Sequence, residues 1–192
     1  MRIAVLVSGT GSLLEAMLDA GLPIALVVAD RPCRGISLAE AAGIEALVVE
    51  RTDYTKKFDR AAYTNELVRQ FDARNIEVIA MAGFGTVLGE SIFASMAGRI
   101  VNTHPALLPA FPGWHAVREA LEYGVKVTGC TIHVATAVVD DGPILAQEAV
   151  EVLPTDDESE LHERIKIVER RLYIETLATI VDRGYVLAPS ER

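Results

Sequence analysis

Several ingredients of common functional sites are scarce or missing in this chain of 192 residues. Its two cysteines, Cys33 and Cys130, stand far apart, which excludes a zinc ribbon or a CxxC redox site and predicts two small buried side chains in a reducing compartment. The four histidines are dispersed without HExxH or HxH spacing, so no metal site is expected. No run of about 18 apolar residues occurs, which predicts no membrane span.

Positive charge is also in short supply, with 18 basic against 27 acidic residues and a net charge of −9. Such a chain repels nucleic acid and anionic lipid, so we expect small-molecule partners instead. An anionic substrate must then be held by local groups. The apolar run at residues 1–9 is too short for a signal peptide, so a cytoplasmic location is the default expectation. Nothing in the composition chooses between a monomer and a homodimer.

Strand-like and helix-like segments alternate along the first half of the chain, and longer strand-like segments follow in the second half. The alternation predicts an α/β fold with a Rossmann-like, mostly parallel sheet flanked by helices and a mixed C-terminal part. No repeat or linker interrupts the pattern, so we expect one domain, 1–192. The predicted strands are 2–7, 24–29, 46–49, 78–81, 100–102, 128–135, 144–152 and 184–187, and the predicted helices are 12–20, 37–42, 59–74, 90–96, 115–123 and 157–181.

A glycine-rich loop, Ser8-Gly9-Thr10-Gly11-Ser12, joins the first strand to the first helix. Glycines allow a tight turn, and the helix N-terminus offers N–H groups to an anion, so the loop predicts a phosphate cradle. It is no Walker A motif, and Leu14 occupies the third glycine position of a dinucleotide fingerprint. Asp30, at the end of the second strand, keeps the dinucleotide alternative open. A plain turn with Ser12 as the helix N-cap is the structural alternative.

An amide, an imidazole and a carboxylate at predicted strand ends are the parts of a proton-transfer site. Asn102 and His104 are two residues apart, so they share one face of an extended segment. An amide donor stabilises a developing oxyanion, and an imidazole gives or takes a proton near neutral pH. A carboxylate beside the imidazole orients it and favours its protonated form. Asp140 is the preferred carboxylate because Gly142-Pro143 forces a turn, and Asp141 is its rival.

Each of these residues also has a purely structural interpretation. A histidine at a strand end is often a hydrogen-bonded structural residue, and an aspartate before Gly-Pro is often only a turn former. Two further histidines also allow both a functional and a structural interpretation. His115 is placed to cap a helix, and His133 is placed within a strand.

Two longer motifs identify a family. The string Asn102-Thr103-His104-Pro105-Ala106-Leu107-Leu108-Pro109, followed by Pro112-Gly113, resembles the folate-dependent formyltransferases, and so does the segment 140–147. The similarity runs from about Arg2 to Val181. It implies a formyltransferase fold, with residues 1–100 as a phosphate-binding half and residues 101–192 as a catalytic and folate-binding half.

The resemblance implies a reaction and a set of roles. The formyl group of 10-formyltetrahydrofolate, a cosubstrate, would pass to the amine of 5′-phosphoribosylglycinamide in purine biosynthesis, a branch of one-carbon metabolism. Asn102 would hold the oxyanion, His104 would be the general acid and Asp140 would support His104. The remaining roles are substrate binding by Gly11, Ser12, Leu13, Lys166 and Glu169, folate binding by Arg60, Gly85, Thr86, Val87, Leu88, Asn102, Thr136 and Asp140, and pocket support by His115 and His133.

Two departures from the family pattern fall on binding segments. Leu13 stands where the phosphate loop usually has asparagine, and Gly85-Thr86 stands where the family usually has Met-Arg. Alternatives with the same catalytic trio are a sugar-nucleotide N-formyltransferase and a formyltetrahydrofolate hydrolase. A non-catalytic nucleotide-binding module is the alternative from a different class, but it has no reason to carry Asn102, His104 and Asp140 together.

Overall fold

Thirteen regular elements occupy the 188 residues, 1–188, that the computed structural model describes. They follow the predicted alternation of strands and helices. Their bounds are β1 Ile3–Val7, α1 Ser12–Asp19, β2 Ile24–Ala29, α2 Arg34–Ala41, β3 Ala46–Val48, α3 Arg60–Asp72, β4 Val78–Met81, α4 Glu90–Ser95, β5 Ile100–His104, α5 Ala116–Tyr123, β6 Val127–Val134, β7 Ile144–Glu151 and α6 Glu158–Arg183.

The strands form one seven-stranded sheet in the order β3-β2-β1-β4-β5-β6-β7. The pairs β1–β2, β1–β4, β2–β3 and β4–β5 are parallel, and β6–β7 is antiparallel. Parallel strands need helical crossovers, which α1 to α4 supply. The predicted α/β class, mostly parallel with a mixed C-terminal part, is therefore confirmed.

The chain divides into two compact units. Among the described residues, the first unit comprises Met1–Val101 together with residues 184–188, and the second comprises Asn102–Arg183. The predicted functional halves, 1–100 and 101–192, remain a prediction. Within residues 1–188, no helix combines the length and apolar character that crossing a bilayer would require.

In the first unit, β1 is buried along its whole length, as its continuous apolar sequence predicts. The end of this strand packs closely against α2. A Cβ on Gly35, in the first turn of α2, would lie 2.8 Å from the Cγ2 atom of Val7. Glycine at this position therefore lets α2 lie directly against the end of β1.

In the second unit, the antiparallel pair β6–β7 supports the long helix α6. β6 is buried at seven of its eight residues, whereas β7 is mostly exposed or half-buried. A Cβ on Gly129 would meet the carbonyl oxygen of Glu148 at 2.1 Å, so the two strands approach each other too closely there for any larger residue. The apolar side chains that α6 buries are Leu161, Ile165, Leu172, Tyr173, Leu177 and Ile180.

Four predictions need correction. The helix α2 begins at Arg34 and not at Ser37, because Gly35 lowers the helical signal of its first turn. The strand β5 continues past Asn102 to His104. Residues 184–188 form turns and bends, so the predicted strand 184–187 is wrong. Cys130 is buried as predicted, but Cys33 is only half-buried.

Candidate active site

The three predicted catalytic residues lie together in the second unit. Asn102 and His104 occupy the last part of β5, and Asp140 lies in the turn between β6 and β7. The Nδ1 atom of His104 is 3.3 Å from Oδ2 of Asp140, and both side chains are about 95% buried. Burial strengthens such a contact, because water screens it little.

Both ring nitrogens of His104 face hydrogen-bond acceptors. Nε2 lies 2.8 Å from the carbonyl oxygen of Phe111, and Nδ1 faces the carboxylate of Asp140. A carbonyl only accepts, so Nε2 carries a proton and donates it to Phe111. The nitrogen left to gain or lose a proton is therefore Nδ1. Phe111 has a φ of +52°, which is a rare backbone conformation for a bulky residue, and this conformation sets the direction of its carbonyl.

Asp140 is fixed through its backbone and through its carboxylate. Its φ of +56° is left-handed, a conformation that aspartate tolerates better than most residues. The N–H of Gly113 donates to Oδ2 of Asp140 at 2.8 Å. A Cβ on Gly142 would lie 1.7 Å from the carbonyl oxygen of Val134, so the turn closes only with glycine there. Asp141 is exposed, and the geometry favours Asp140 as the partner of His104.

The fourth polar side chain of the site, His133, holds the amide of Asn102. Its Nδ1 is 3.1 Å from the carbonyl oxygen of Val134, and its Nε2 is 3.2 Å from Nδ2 of Asn102. Burial lowers the pKa of His133 and favours the neutral ring. In that form Nδ1–H donates to Val134, so bare Nε2 accepts from the Asn102 amide. The 3.6 Å approach of Nε2 to Oδ1 of Asp140 is then no ion pair.

The opposite side of β5 carries a second polar group. The hydroxyl of Thr103 donates to Oε1 of Glu169, on α6, at 3.0 Å and lies 3.4 Å from Sγ of Cys130. Burial raises the pKa of the Glu169 carboxyl, and burial likewise raises the pKa of the Cys130 thiol to about 12. Lys166, one turn before Glu169, pairs with Glu163 at 2.7 Å.

In the first unit, the glycine-rich loop leads directly into α1. Gly11 is the N-cap with a left-handed φ of +70°, and Ser12 is the first residue of the helix, so the interpretation of Ser12 as the cap is wrong. The side chain of Leu13 is buried, whereas Ser12 is exposed. An anion at this loop would therefore meet backbone N–H groups and the Ser12 hydroxyl, and Leu13 would contribute only its backbone.

The segment Gly85–Leu88, also in the first unit, is tied down at two points. The N–H of Gly85 donates to Oγ of Ser8 at 2.7 Å, and the hydroxyl of Thr86 donates to Oδ2 of Asp30 at 2.7 Å. Asp30 is fully buried and also accepts from Arg31. Burial alone would raise the pKa of Asp30, but the hydrogen bonds from Arg31, Thr86 and Ser8 lower it overall. A carboxylate so occupied cannot bind a ribose, which removes the basis of the dinucleotide alternative.

The remaining candidates stand apart from these clusters. Arg60 begins α3 and is exposed, and the hydroxyl of Thr136 donates to the carbonyl oxygen of Val138. Val87 is exposed beside the buried Leu88. His115 is exposed at the N-cap of α5 without a side-chain capping bond, and no hydrogen bond in the described chain links it to the trio. Across residues 1–188, no group of three or more His, Cys, Asp or Glu side chains could hold a metal ion.

Comparison with known proteins agrees with this geometry. The family model for formyl transferases matches residues 1–177. The chain belongs to the formyltransferase family. Among its relatives is the phosphoribosylglycinamide formyltransferase of Mycobacterium tuberculosis, which is 44% identical over 188 residues, covering 95% of this chain and 86% of that protein.

Two further similarities extend the comparison of this formyltransferase. The trifunctional purine biosynthetic protein adenosine-3 of Drosophila melanogaster is 40% identical over 197 residues, which cover 98% of this chain and 14% of that protein. The crystal structure of glycinamide ribonucleotide transformylase 1 from Symbiobacterium toebii superposes with a TM-score of 0.89 at 38% identity, covering 100% of this chain and 92% of the other.

The sequence gives little signal for the groups that hold the trio of this formyltransferase. The Thr131 hydroxyl donates to the carbonyl of Ala106 at 2.6 Å and accepts the N–H of Leu108, and Gln147 donates to Thr131 and to the carbonyl of Leu108. These contacts bind the loop after His104 to β6 and β7. Gln147 ends the family motif at residues 140–147, but only the strand register reveals its partners.

Proposed function

We propose that this formyltransferase transfers the formyl group of 10-formyltetrahydrofolate to the amine of 5′-phosphoribosylglycinamide, a step of purine biosynthesis. The observation that carries the proposal is the buried contact between His104 Nδ1 and Asp140, beside the Asn102 amide that His133 orients. The 44% identity to a phosphoribosylglycinamide formyltransferase supports the choice of acceptor. We expect the enzyme to act in the cytoplasm on small molecules, as a monomer or a homodimer.

Asn102 supplies the oxyanion donor in this proposal. When the acceptor amine attacks the formyl carbon, negative charge develops on the formyl oxygen. The Asn102 amide has two N–H bonds, of which one is given to His133. The other N–H is free to donate to the formyl oxygen, and one such donor contributes about 3 kcal/mol to transition-state stabilisation.

His104 moves the proton. In the overall reaction the acceptor nitrogen loses one proton, the bond from the formyl carbon to N10 of the folate breaks, and N10 gains one proton. Because Phe111 retains the Nε2 proton, Nδ1 of His104 carries out this exchange alone. Asp140, oriented by the Gly113 N–H, stabilises the positive charge that the ring carries while Nδ1 is protonated.

Other residues bind the two substrates. The Gly11, Ser12 and Leu13 backbone would receive the phosphate, and Glu169 with Lys166 would receive the ribose part. Gly85, Thr86, Val87 and Leu88 would line the pterin, with Thr136 and Asp140 beside it and Arg60 near the folate tail. His133 supports the site through Asn102. His115 is exposed, and its supporting role stays a prediction.

The first test is a formyl-transfer assay with both substrates. His104→Ala and Asp140→Asn should each lower kcat by about 100-fold or more, the usual contribution of a general acid or base. The exposed neighbour Asp141 provides the matched control, because Asp141→Asn keeps the turn and removes the same charge one residue away. Full activity in the His104 or Asp140 variant would contradict the mechanism.

Varying the acceptor separates the alternatives. Release of formate from the donor without any amine would identify a formyltetrahydrofolate hydrolase, and preference for an amino sugar nucleotide would identify a sugar N-formyltransferase. A nucleotide-binding module would catalyse none of these reactions. We expect formyl transfer that depends on phosphoribosylglycinamide.

A further inference from the structure

Asp30 is a fully buried carboxylate that takes no part in the proposed reaction. It follows directly after β2, at the end of the parallel strands where α/β sheets bind ligands. Burying an ionised carboxylate is costly unless the group is paired and hydrogen-bonded. The partners of Asp30 therefore show which parts of the first unit its charge holds together.

Three side chains donate hydrogen bonds to Asp30. Nε of Arg31 donates to Oδ1 at 3.0 Å and Nη2 of Arg31 donates to Oδ2 at 3.2 Å. The Thr86 hydroxyl, on a residue that is 1% exposed, donates to Oδ2 at 2.7 Å. Burial opposes ionisation, but the bonds from Arg31, Thr86 and Ser8 lower the pKa of Asp30 overall. An ionised carboxylate only accepts, so the hydroxyl protons of Thr86 and Ser8 both point to Asp30.

Ser8 joins Asp30 to a third part of the first unit. With its proton directed to Asp30, the Ser8 hydroxyl accepts the N–H of Gly85 at 2.7 Å. The backbone N–H of Ser8 donates to the carbonyl oxygen of Gly83 at 3.1 Å. Ser8 is also the first residue of the glycine-rich loop. One serine thus connects that loop, the Asp30 carboxylate and the chain that follows β4.

The segment Gly85–Leu88 is held mainly from its sides. Beyond its far end, the N–H of Gly89 donates to Oγ1 of Thr64 at 2.8 Å. Within the described chain, the N–H and C=O groups of the segment's last three residues form no backbone hydrogen bonds. The Thr86 hydroxyl is therefore a polar anchor inside a stretch whose own backbone donors and acceptors can meet a ligand.

We propose that Asp30 is a positioning residue for the folate donor, and that its carboxylate fixes the backbone of Gly85–Leu88 against the pterin through Thr86 and Ser8. This inference rests on the proposed function, because the pterin belongs to the proposed cosubstrate. A pterin edge carries several adjacent donors and acceptors, and matching them requires a backbone held to within about 0.5 Å. Asp30 does not touch the ring. It restricts a segment to which Gly85 would otherwise give conformational freedom.

Thr86→Val tests the inference, because it keeps the branched shape of the side chain and removes the hydroxyl that donates to Asp30. In the full-length chain, the KM for 10-formyltetrahydrofolate should rise about tenfold, the effect of one hydrogen bond to a charged group, whereas kcat and the KM for phosphoribosylglycinamide should change little. Thr86→Ser keeps the hydroxyl and should restore most of the donor affinity. Thr128→Val is the matched control, since the buried Thr128 hydroxyl has no hydrogen-bond partner in the described chain.

Amide hydrogen exchange gives a readout that needs no catalysis. The N–H of Gly85 should exchange faster in Thr86→Val than in the wild type or in Thr128→Val, because the segment opens more often once its anchor is removed. Asp30→Asn should accelerate this exchange further, because one of the two acceptor oxygens becomes a donor nitrogen and both Thr86 and Ser8 are affected.

The outcomes separate this inference from the proposed function. An unchanged donor KM in Thr86→Val, or equal rises in Thr86→Val and Thr128→Val, would overturn the inference while formyl transfer persists. A rise in Thr86→Ser as large as in Thr86→Val would also overturn it, because the hydroxyl would then not be the cause. Faster exchange at Gly85 with an unchanged donor KM would show that the donor does not depend on this segment. Absence of transfer by the wild type would instead contradict the proposed function.

Discussion

His104 and Asn102 are each held through an atom that the reaction does not use, and Asp140 is held through the oxygen that faces His104. Phe111 holds Nε2 of His104, His133 holds one N–H of Asn102, and the Gly113 N–H orients the carboxylate of Asp140. Groups fixed in this way need little reorganisation when charge develops. The strand period predicted that Asn102 and His104 share a face. The contacts from His133 and Phe111 could not be predicted, because they depend on strand register and on a strained loop.

Thr103 provides a prediction at the residue scale. Thr103→Val removes the hydroxyl that donates to the half-buried Glu169 carboxylate and keeps the shape of the side chain. We expect the KM for phosphoribosylglycinamide to rise about tenfold and kcat to change little, because Glu169 is a proposed ribose ligand. Steady-state kinetics with the amine varied measures this. Thr176→Val, which removes an α6 hydroxyl bonded only to its own helix, is the control, and equal KM values in both variants would contradict the prediction.

At the scale of elements, some predicted strands match the structure and others do not, and the differences have physical reasons. The strand β5 was predicted to end at Asn102 because the residues that follow it are polar. It continues to His104, since the backbone hydrogen bonds of a strand do not require apolar side chains. The apolar residues Val186 and Leu187 suggested a strand, yet they are buried within turns and bends. A short apolar run therefore reports burial and does not distinguish a strand from an irregular segment.

The turn between β6 and β7 gives a prediction at this scale. Gly142→Ala would bring a Cβ to 1.7 Å from the carbonyl oxygen of Val134, so the turn that carries Asp140 must open. We expect a loss of more than about 3 kcal/mol in the free energy of unfolding, together with loss of activity.

Gly124→Ala is the matched control for this change. Gly124 has a φ of +82° and no atom within 4 Å of its Cβ position, so alanine there adds strain without a clash. That substitution should cost only about 1 kcal/mol. Denaturant unfolding measures both variants, and equal losses would show that the crowding at Gly142 is relieved without cost.

At the scale of the whole molecule, buried and half-buried titratable groups make stability depend on pH. Burial lowers the pKa of His133 and of His162 below 6.5. Below pH 6.5 the unfolded chain therefore binds protons that the folded chain resists, and the unfolding free energy falls as the pH falls. Glu169 acts in the opposite direction, because its raised pKa lets the folded chain keep a proton above pH 4.5.

A substitution isolates the histidine contribution. His133→Gln should flatten the decline in unfolding free energy below pH 6.5, by at most about 1.4 kcal/mol per pH unit, the effect of one proton. Denaturant unfolding of the wild type and the variant at a series of pH values between about 5 and 7.5 measures the difference. Parallel declines in the two proteins would contradict the role of His133.

The bond from His104 to the Phe111 carbonyl has a spectroscopic consequence. A ring proton that is buried and hydrogen-bonded exchanges slowly with water, so the Nε2–H of His104 should give its own resonance in a nitrogen-edited spectrum. Nδ1 should give a separate signal that responds to ligands. One side chain would thus carry both an internal reference and a reporter of substrate arrival, without any attached label.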